Sequence, residues 1–220
     1  MNDIISKLGE CVEFGKINLT SPYPPAMKGQ PGADELTREA LENGLSPQSI
    51  LNEALIPAMN RVGNKFTEGK IFVPQMLLSA KAMNSAMKHL KPYFQNGEIK
   101  RKGVFVIGTV MGDLHDIGKN LVGIMLKGAG YEVMDLGVNC DIAKYEDAVG
   151  KGAQIIGCSS LLTTTMPYMK DVVEHFKGKG VKVIIGGAPV TQAYADEIGA
   201  DGYSDDANGA VKLVDSLMAC

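Results

Sequence analysis

Gly103-Val104-Phe105-Val106-Ile107-Gly108-Thr109-Val110-Met111-Gly112-Asp113-Leu114-His115-Asp116-Ile117-Gly118-Lys119-Asn120 is the stretch that decides the architecture of this chain. An apolar run, Val104 to Val110, gives way to a short polar loop and then to a helical pattern. A continuous Val/Ile run reads as a strand buried on both faces, the kind found in parallel sheets. Ligands of open α/β sheets bind beyond the carboxyl ends of such strands, where this loop lies. The loop carries an aspartate and a histidine two residues apart. One imidazole nitrogen can then reach a metal while the other donates to a carboxylate.

The alternation continues to the end of the chain. Strands are predicted at 104–109, 132–136, 154–158 and 181–185, with a short fifth near 201–204. Helices are predicted at about 117–128, 142–150, 166–178, 189–198 and 207–218. Five such units suit a flavodoxin-like, doubly wound parallel sheet with helices on both faces, an α/β fold. Three loops would then share one sheet edge. The first holds Asp113, His115 and Gly118, the second runs Cys158-Ser159-Ser160-Leu161-Leu162-Thr163-Thr164-Thr165, and the third is Gly186-Gly187-Ala188-Pro189.

The first 92 residues carry no strand pattern. Ile4, Ile5, Leu8 and Val12 recur at helical spacing, and Leu36, Ala40 and Leu41 mark a short helix ending near Gly44. Between them Pro22, Pro24, Pro25 and Pro31 imply an ordered crossing rather than a helix. Ser46-Pro47 supplies an N-cap followed by proline in the first turn. The stripe Leu51, Leu55, Met59, Val62, Phe66 predicts an amphipathic helix with a kink at Pro57. Pro74 opens another helix, with Met76, Ala80, Met83, Met87 and Leu90 on one face. The expected organisation is a helical bundle over 1–92, a polar linker and hinge over 93–102, and an α/β domain over 103–220.

With 45% hydrophobic and 21% charged residues the chain can build a core. A net charge of −3 supplies no basic footprint for nucleic acid. No apolar stretch approaches the roughly 20 residues that span a bilayer, and no secretory signal is visible. Cys11, Cys140, Cys158 and Cys220 are widely spaced without a Cys-x-x-Cys pair, which reads as reduced thiols, no zinc site and a cytoplasmic setting. Cys158, in a strand pattern, is read as packing.

Asp113-x-His115-x-x-Gly118, then Ser159-x-Leu161, then Gly186-Gly187 resembles the signature of the cobalamin-binding domains of methionine synthase and several mutases. Gly63-x-x-Phe66, Gly69-Lys70 and Phe72-Val73-Pro74-Gln75 resemble the cap domain that precedes the corrin domain in methionine synthase. The resemblance covers roughly residues 46–218. It implies a Rossmann-like domain that buries the cofactor's own dimethylbenzimidazole, with His115 replacing that base as lower ligand of cobalt. It also implies that Asp113 sets the imidazole tautomer, and that Thr165 stands where the synthase has a serine bonded to the aspartate. A proton taken up through this His–Asp–Thr chain would couple ligand release to reduction of the metal. Cofactor contacts are implied for Gly112, Asp116, Ile117, Leu161 and Ala207, with Ser159 and Thr163 lining the slot for the displaced base. Gly118, Gly186 and Gly187 are implied to admit the nucleotide tail. Phe66, Val73 (a leucine in the synthase) and Met76 would shield the methyl group of methylcobalamin.

A chain of cap and corrin domains with no barrel is expected to be a methyl carrier that cannot turn over alone. Its expected partners are a methyl-donor:corrinoid methyltransferase, a methylcorrinoid:acceptor methyltransferase and a reductive activase, as in an O-demethylase. The donor would be a methoxyaromatic, methanol or a methylamine, and the acceptor tetrahydrofolate or coenzyme M. Alternative readings are the cobalamin subunit of an adenosylcobalamin mutase, which the cap argues against, and a B12-dependent sensor, which would need a DNA-binding segment. A nicotinamide or flavin domain is disfavoured, because the first loop lacks Gly-x-Gly-x-x-Gly.

Overall fold

The computed structural model of the protein describes residues 2–219; Cys220 lies outside them. The chain divides into two compact units. One spans residues up to Arg101 together with Gly128–Gly130, and the other comprises Lys102–Lys127 and the chain from Tyr131 onward.

The first unit is helical: α1 (Asn2–Phe14), α2 (Ala33–Glu42), a short turn α3 (Pro47–Ser49), α4 (Ile56–Thr67) and α5 (Val73–Gln95). Leu8, Val12, Leu55, Met59, Val62 and Leu90 are fully or almost fully buried, which places the sequence-read stripes in a core. Polar pins join the helices. Ser79 Oγ on α5 donates to the Glu13 carbonyl of α1, and His89 Nε2 lies 2.8 Å from Asp34 Oδ1 of α2. Ser46 caps α3, its hydroxyl accepting the Ser49 amide at 3.0 Å. The Pro-rich crossing is tied down at both ends. Lys16, wholly buried, donates to Ser21 O, and Ala33 and Asp34 amides donate to the Lys16 and Ile17 carbonyls.

One sequence expectation is refined here and another corrected. At Pro57 the helix pattern is interrupted: the turn before it, Ile50–Leu55, is π-helical, and the Ile56 amide donates to Leu51 O. A proline cannot donate to the carbonyl four residues back, and widening the preceding turn re-pairs the backbone. Pro92 does not end α5. The helix runs on to Gln95 with Pro92 in its last turns, and Ile99 beyond it is buried with its amide on Tyr93 O. The start of the predicted linker is therefore helix, and the rest of it up to Arg101 groups with the helical unit.

The second unit alternates β1 (Val104–Thr109), α6 (Ile117–Gly128), β2 (Glu132–Asp135), α7 (Ile142–Gly150), β3 (Ile155–Ser159), α8 (Pro167–Phe176), β4 (Lys182–Gly186), α9 (Gln192–Ile198), β5 (Gly202–Ser204) and α10 (Ala207–Met218). All pairings are parallel and the order is β2-β1-β3-β4-β5. This is the doubly wound arrangement expected from sequence. Val106, Ile156, Cys158, Val172 and Phe176 share one core cluster. Burial pushes the Cys158 thiol up to about 12, consistent with a packing role.

The order reverses between β1 and β3. Successive crossovers leave in opposite directions there, so the loops after those two strands part and open a crevice at their carboxyl ends. The register Thr109↔Ser159 brings both loops to the same level.

Candidate functional site

Asp113 lies at the centre of that crevice and has no exposed surface. Its Oδ1 accepts the His115 amide at 3.0 Å and faces His115 Nδ1 at 2.7 Å. Its Oδ2 accepts the amides of Leu161 at 2.7 Å and Leu162 at 3.3 Å, from the β3 loop. Thr165 Oγ1 and Ser160 Oγ approach the same oxygen at 3.2 and 3.3 Å. Burial alone would raise the carboxyl's pKa. The amides of His115 and Leu161, the His115 imidazole and the Leu162 amide outweigh it and hold the group well below the usual carboxylate range. Asp113 is thus an acceptor only, which puts a proton on Nδ1 and, in the neutral imidazole, leaves the lone pair on Nε2. The His115 side chain is 52% exposed, and among the described residues Nε2 has no partner.

Backbone contacts hold this loop from the other side. Thr109 Oγ1 donates to the His115 carbonyl, and Asn139, at φ 50, accepts the Gly112 amide through Oδ1 and donates its own amide to Asp113 O. At the start of α6, buried Lys119 pairs with Asp135 at 2.5 Å. Asp116 accepts the Asn120 side chain.

Around His115 the surface is apolar. Met111, Leu114, Ile117, Leu161 and Leu162 are five of the nine exposed large hydrophobic side chains among the described residues, and all lie on these two loops or, for Ile117, at the first residue of α6. Leu114 and Ile117 are over 70% exposed. Exposed apolar side chains gathered on neighbouring segments in this way mark a ligand surface. A broad, flat ligand with an apolar face and a metal at its middle fits it, since the patch offers dispersion contacts and one imidazole nitrogen. A corrinoid is such a ligand. A Cβ at Gly118 would meet nothing within 4 Å, leaving open space beside the histidine.

The family model "B12 binding domain" matches residues 103–212, and a second B12 binding domain model matches 30–91. The chain is 44% identical to dimethylamine corrinoid protein 1 of Methanosarcina acetivorans over 82% of this chain and 88% of that protein. The chain belongs to the B12-binding corrinoid proteins of methyltransferase systems. Its cofactor is a corrinoid. The methanol:cobalamin methyltransferase complex of Methanosarcina barkeri contains a chain that superposes on this corrinoid protein with TM-score 0.82 and 29% identity, covering 99% of this chain and 80% of that one. A cobalamin-binding protein of Desulfitobacterium hafniense superposes with TM-score 0.74 and 28% identity, covering 98% of both chains.

The remaining sequence-predicted residues are placed as follows. Ser159 ends β3, half-buried, and Thr163 is exposed farther along the same loop. Gly187 has a reason for lacking a side chain that needs no ligand: at φ 134, its Cβ would lie 1.9 Å from Ser160 O. Gly186 packs against the Ser204 carbonyl. Ala207 is 5% exposed at the start of α10, part of the interior rather than an open lining. Phe66 and Val73 are part-exposed on either side of the turn between α4 and α5. Met76 is fully buried, so in this structure it belongs to the packed interior and not to a shielding surface. Sequence reasoning missed Ser160, Leu162, Met111, Leu114, Thr109 and Asn139. The exposed leucines and methionine could have been found as apolar residues at loop positions beside Gly and Asp.

Proposed function

We propose that this corrinoid protein carries methyl groups between two methyltransferases, with His115 as the residue that would hold cobalt. The observation that carries the reading is the half-exposed imidazole with a free Nε2, set among five exposed apolar side chains and backed by a buried carboxylate. A bound corrinoid supplies a cobalt centre that takes up a methyl group and hands it on.

The protein's own part is to bind, orient and keep dry. Asp113 holds the Nδ1 proton, fixing the tautomer and the ring plane, and is itself locked by amides from two loops. Such an outer partner typically changes metal affinity or activity by about 10–100-fold. Leu114, Ile117 and Leu161 exclude water from the face of the macrocycle. Ser159 and Thr163 would contribute hydroxyls, and Gly118 open space, for the nucleotide part of the cofactor. The donor is a small methylated compound, a methylamine, methanol or methoxyaromatic; the relatedness to dimethylamine corrinoid proteins supports trying dimethylamine first. The acceptor is tetrahydrofolate or coenzyme M, and a reductive activase rescues oxidised cobalt.

The test is paramagnetic resonance of the cobalt(II) form, reconstituted in protein labelled with 15N-histidine. A protein imidazole on cobalt changes the nitrogen splitting from a triplet to a doublet, and His115→Gly abolishes it. An unchanged triplet in labelled protein overturns the reading.

A further inference from the structure

Ser160 is wholly buried, yet nothing in the family signature requires a hydroxyl there. Its Oγ lies 2.8 Å from Thr165 Oγ1, 3.1 Å from Leu162 O and 3.3 Å from Asp113 Oδ2. Thr165 Oγ1 has the same pair of acceptors, at 2.9 Å to Leu162 O and 3.2 Å to Asp113 Oδ2. The two hydroxyls are therefore near-equivalent, in contact with each other and aimed at the same two oxygens.

Counting protons makes the consequence explicit. Each hydroxyl has one proton and can also accept. If the 2.8 Å contact is a hydrogen bond, one proton lies within it. The other is free to go to Asp113 Oδ2 or to Leu162 O. The order can be Ser160 to Thr165 to carboxylate, or Thr165 to Ser160 to carboxylate. Either order delivers a donor to the oxygen opposite the one that holds His115.

We infer that Ser160 is a second positioning residue for the His115–Asp113 unit, interchangeable with Thr165, so that loss of either hydroxyl is covered by the other. The inference rests on His115 being the metal ligand. With both hydroxyls gone, Oδ2 keeps only its two amide donors. Electron density on the carboxylate rises, its bond to Nδ1–H strengthens, and His115 becomes a stronger donor.

The experiment is a double-mutant cycle of Ser160→Ala, Thr165→Val and the pair, the valine preserving the shape of the threonine. Two quantities are read. One is the 15N shift of His115 Nδ1 in apoprotein; the other is the Co(II)/Co(I) midpoint of protein reconstituted with hydroxocobalamin. Each single variant is expected to move both quantities slightly. The pair is expected to move them by more than twice the sum of the singles, with the midpoint becoming more negative, because coupled networks are not additive. Should Thr165→Val alone give the full shift, or should adding Ser160→Ala to it change only the unfolding temperature, Ser160 is mere packing and the inference falls. If the pair unfolds, Ser160→Ala with Thr165→Ser keeps the test alive: the remaining hydroxyl must then restore the parent values, and failure to do so overturns interchangeability. Loss of the histidine signal in the parent itself would instead sink the proposed function.

Discussion

Asp113→Asn probes the site through geometry alone. A side-chain amide can place its NH2 at either carboxylate position, and both positions now receive donors. At the Oδ2 position the NH2 would face the Leu161 and Leu162 amides, two donors against a donor. At the Oδ1 position it would face the His115 amide and Nδ1. The second orientation costs less, because the imidazole can shift its proton to Nε2 and accept at Nδ1. It still leaves the part-buried His115 N–H without its acceptor, at about 1–3 kcal/mol, and reduces the Leu161 and Leu162 bonds from charged to neutral acceptance, at about 1 kcal/mol more. The sum is about 3 kcal/mol, or a fall of roughly 10 °C in unfolding temperature for a unit of this size. The tautomer inverts, so Nε2 carries the proton. Thermal unfolding of apoprotein followed by circular dichroism measures the first effect, and 15N spectra of the histidine ring measure the second. A variant melting within about 2 °C of the parent, with its proton still on Nδ1, would refute this account.

Gly187→Ala must displace the Ser160 carbonyl at a positive φ, and a loss of about 3 kcal/mol or more is expected in urea unfolding. Gly118→Ala, which meets nothing, should leave apoprotein stability within about 1 kcal/mol of the parent while weakening corrinoid loading, read by absorbance titration. Burial raises the Cys11 thiol to about 11 and Cys158 to about 12, so native protein at pH 8 should leave both unmodified by iodoacetamide until denaturant is added, as read by peptide mass spectrometry. Glu13 is pushed up by burial but held below its ordinary value by Lys65 and Arg61. Its depressed pKa stabilises the fold above the unfolded value of about 4.3, and that contribution fades as pH falls toward the folded value. The stability gap between parent and Glu13→Gln, about 1 kcal/mol, should hold above pH 5 and narrow in more acid solution.

The α/β unit was legible to within a residue or two at most strand ends, because Val/Ile runs and Gly/Pro punctuation are local signals. His115 and Asp113 were legible for the same reason: the pair is two residues apart. What holds Asp113 was not, since the Leu161 and Leu162 amides and the Ser160 hydroxyl arrive from nearly fifty residues away, and backbone donors carry no sequence mark. Ser160 looked like one hydroxyl among several; only burial and distance separate it from Thr163, which is exposed. Pro57 announced an interruption, which the chain absorbed in a wide turn, and the expected boundary at residue 92 falls inside a helix. Lys119 reads as a solvated helix residue until Asp135, across the β1–β2 pair, is found beside it.

The alignment of β3 on β1 acts as a ruler for the histidine. Thr109 sits opposite Ser159, and the loops that supply the acid and its donors begin immediately beyond. Sliding one strand by a single residue would carry the Leu161 amide about 3.3 Å along its axis, farther than the bond it makes. Gly157 lets the Phe105 ring lie across β3, where a methyl would come within 2.5 Å of its edge. A substitution there, deep in the sheet, would displace the His115–Asp113 pair by miscalibrating the two strands.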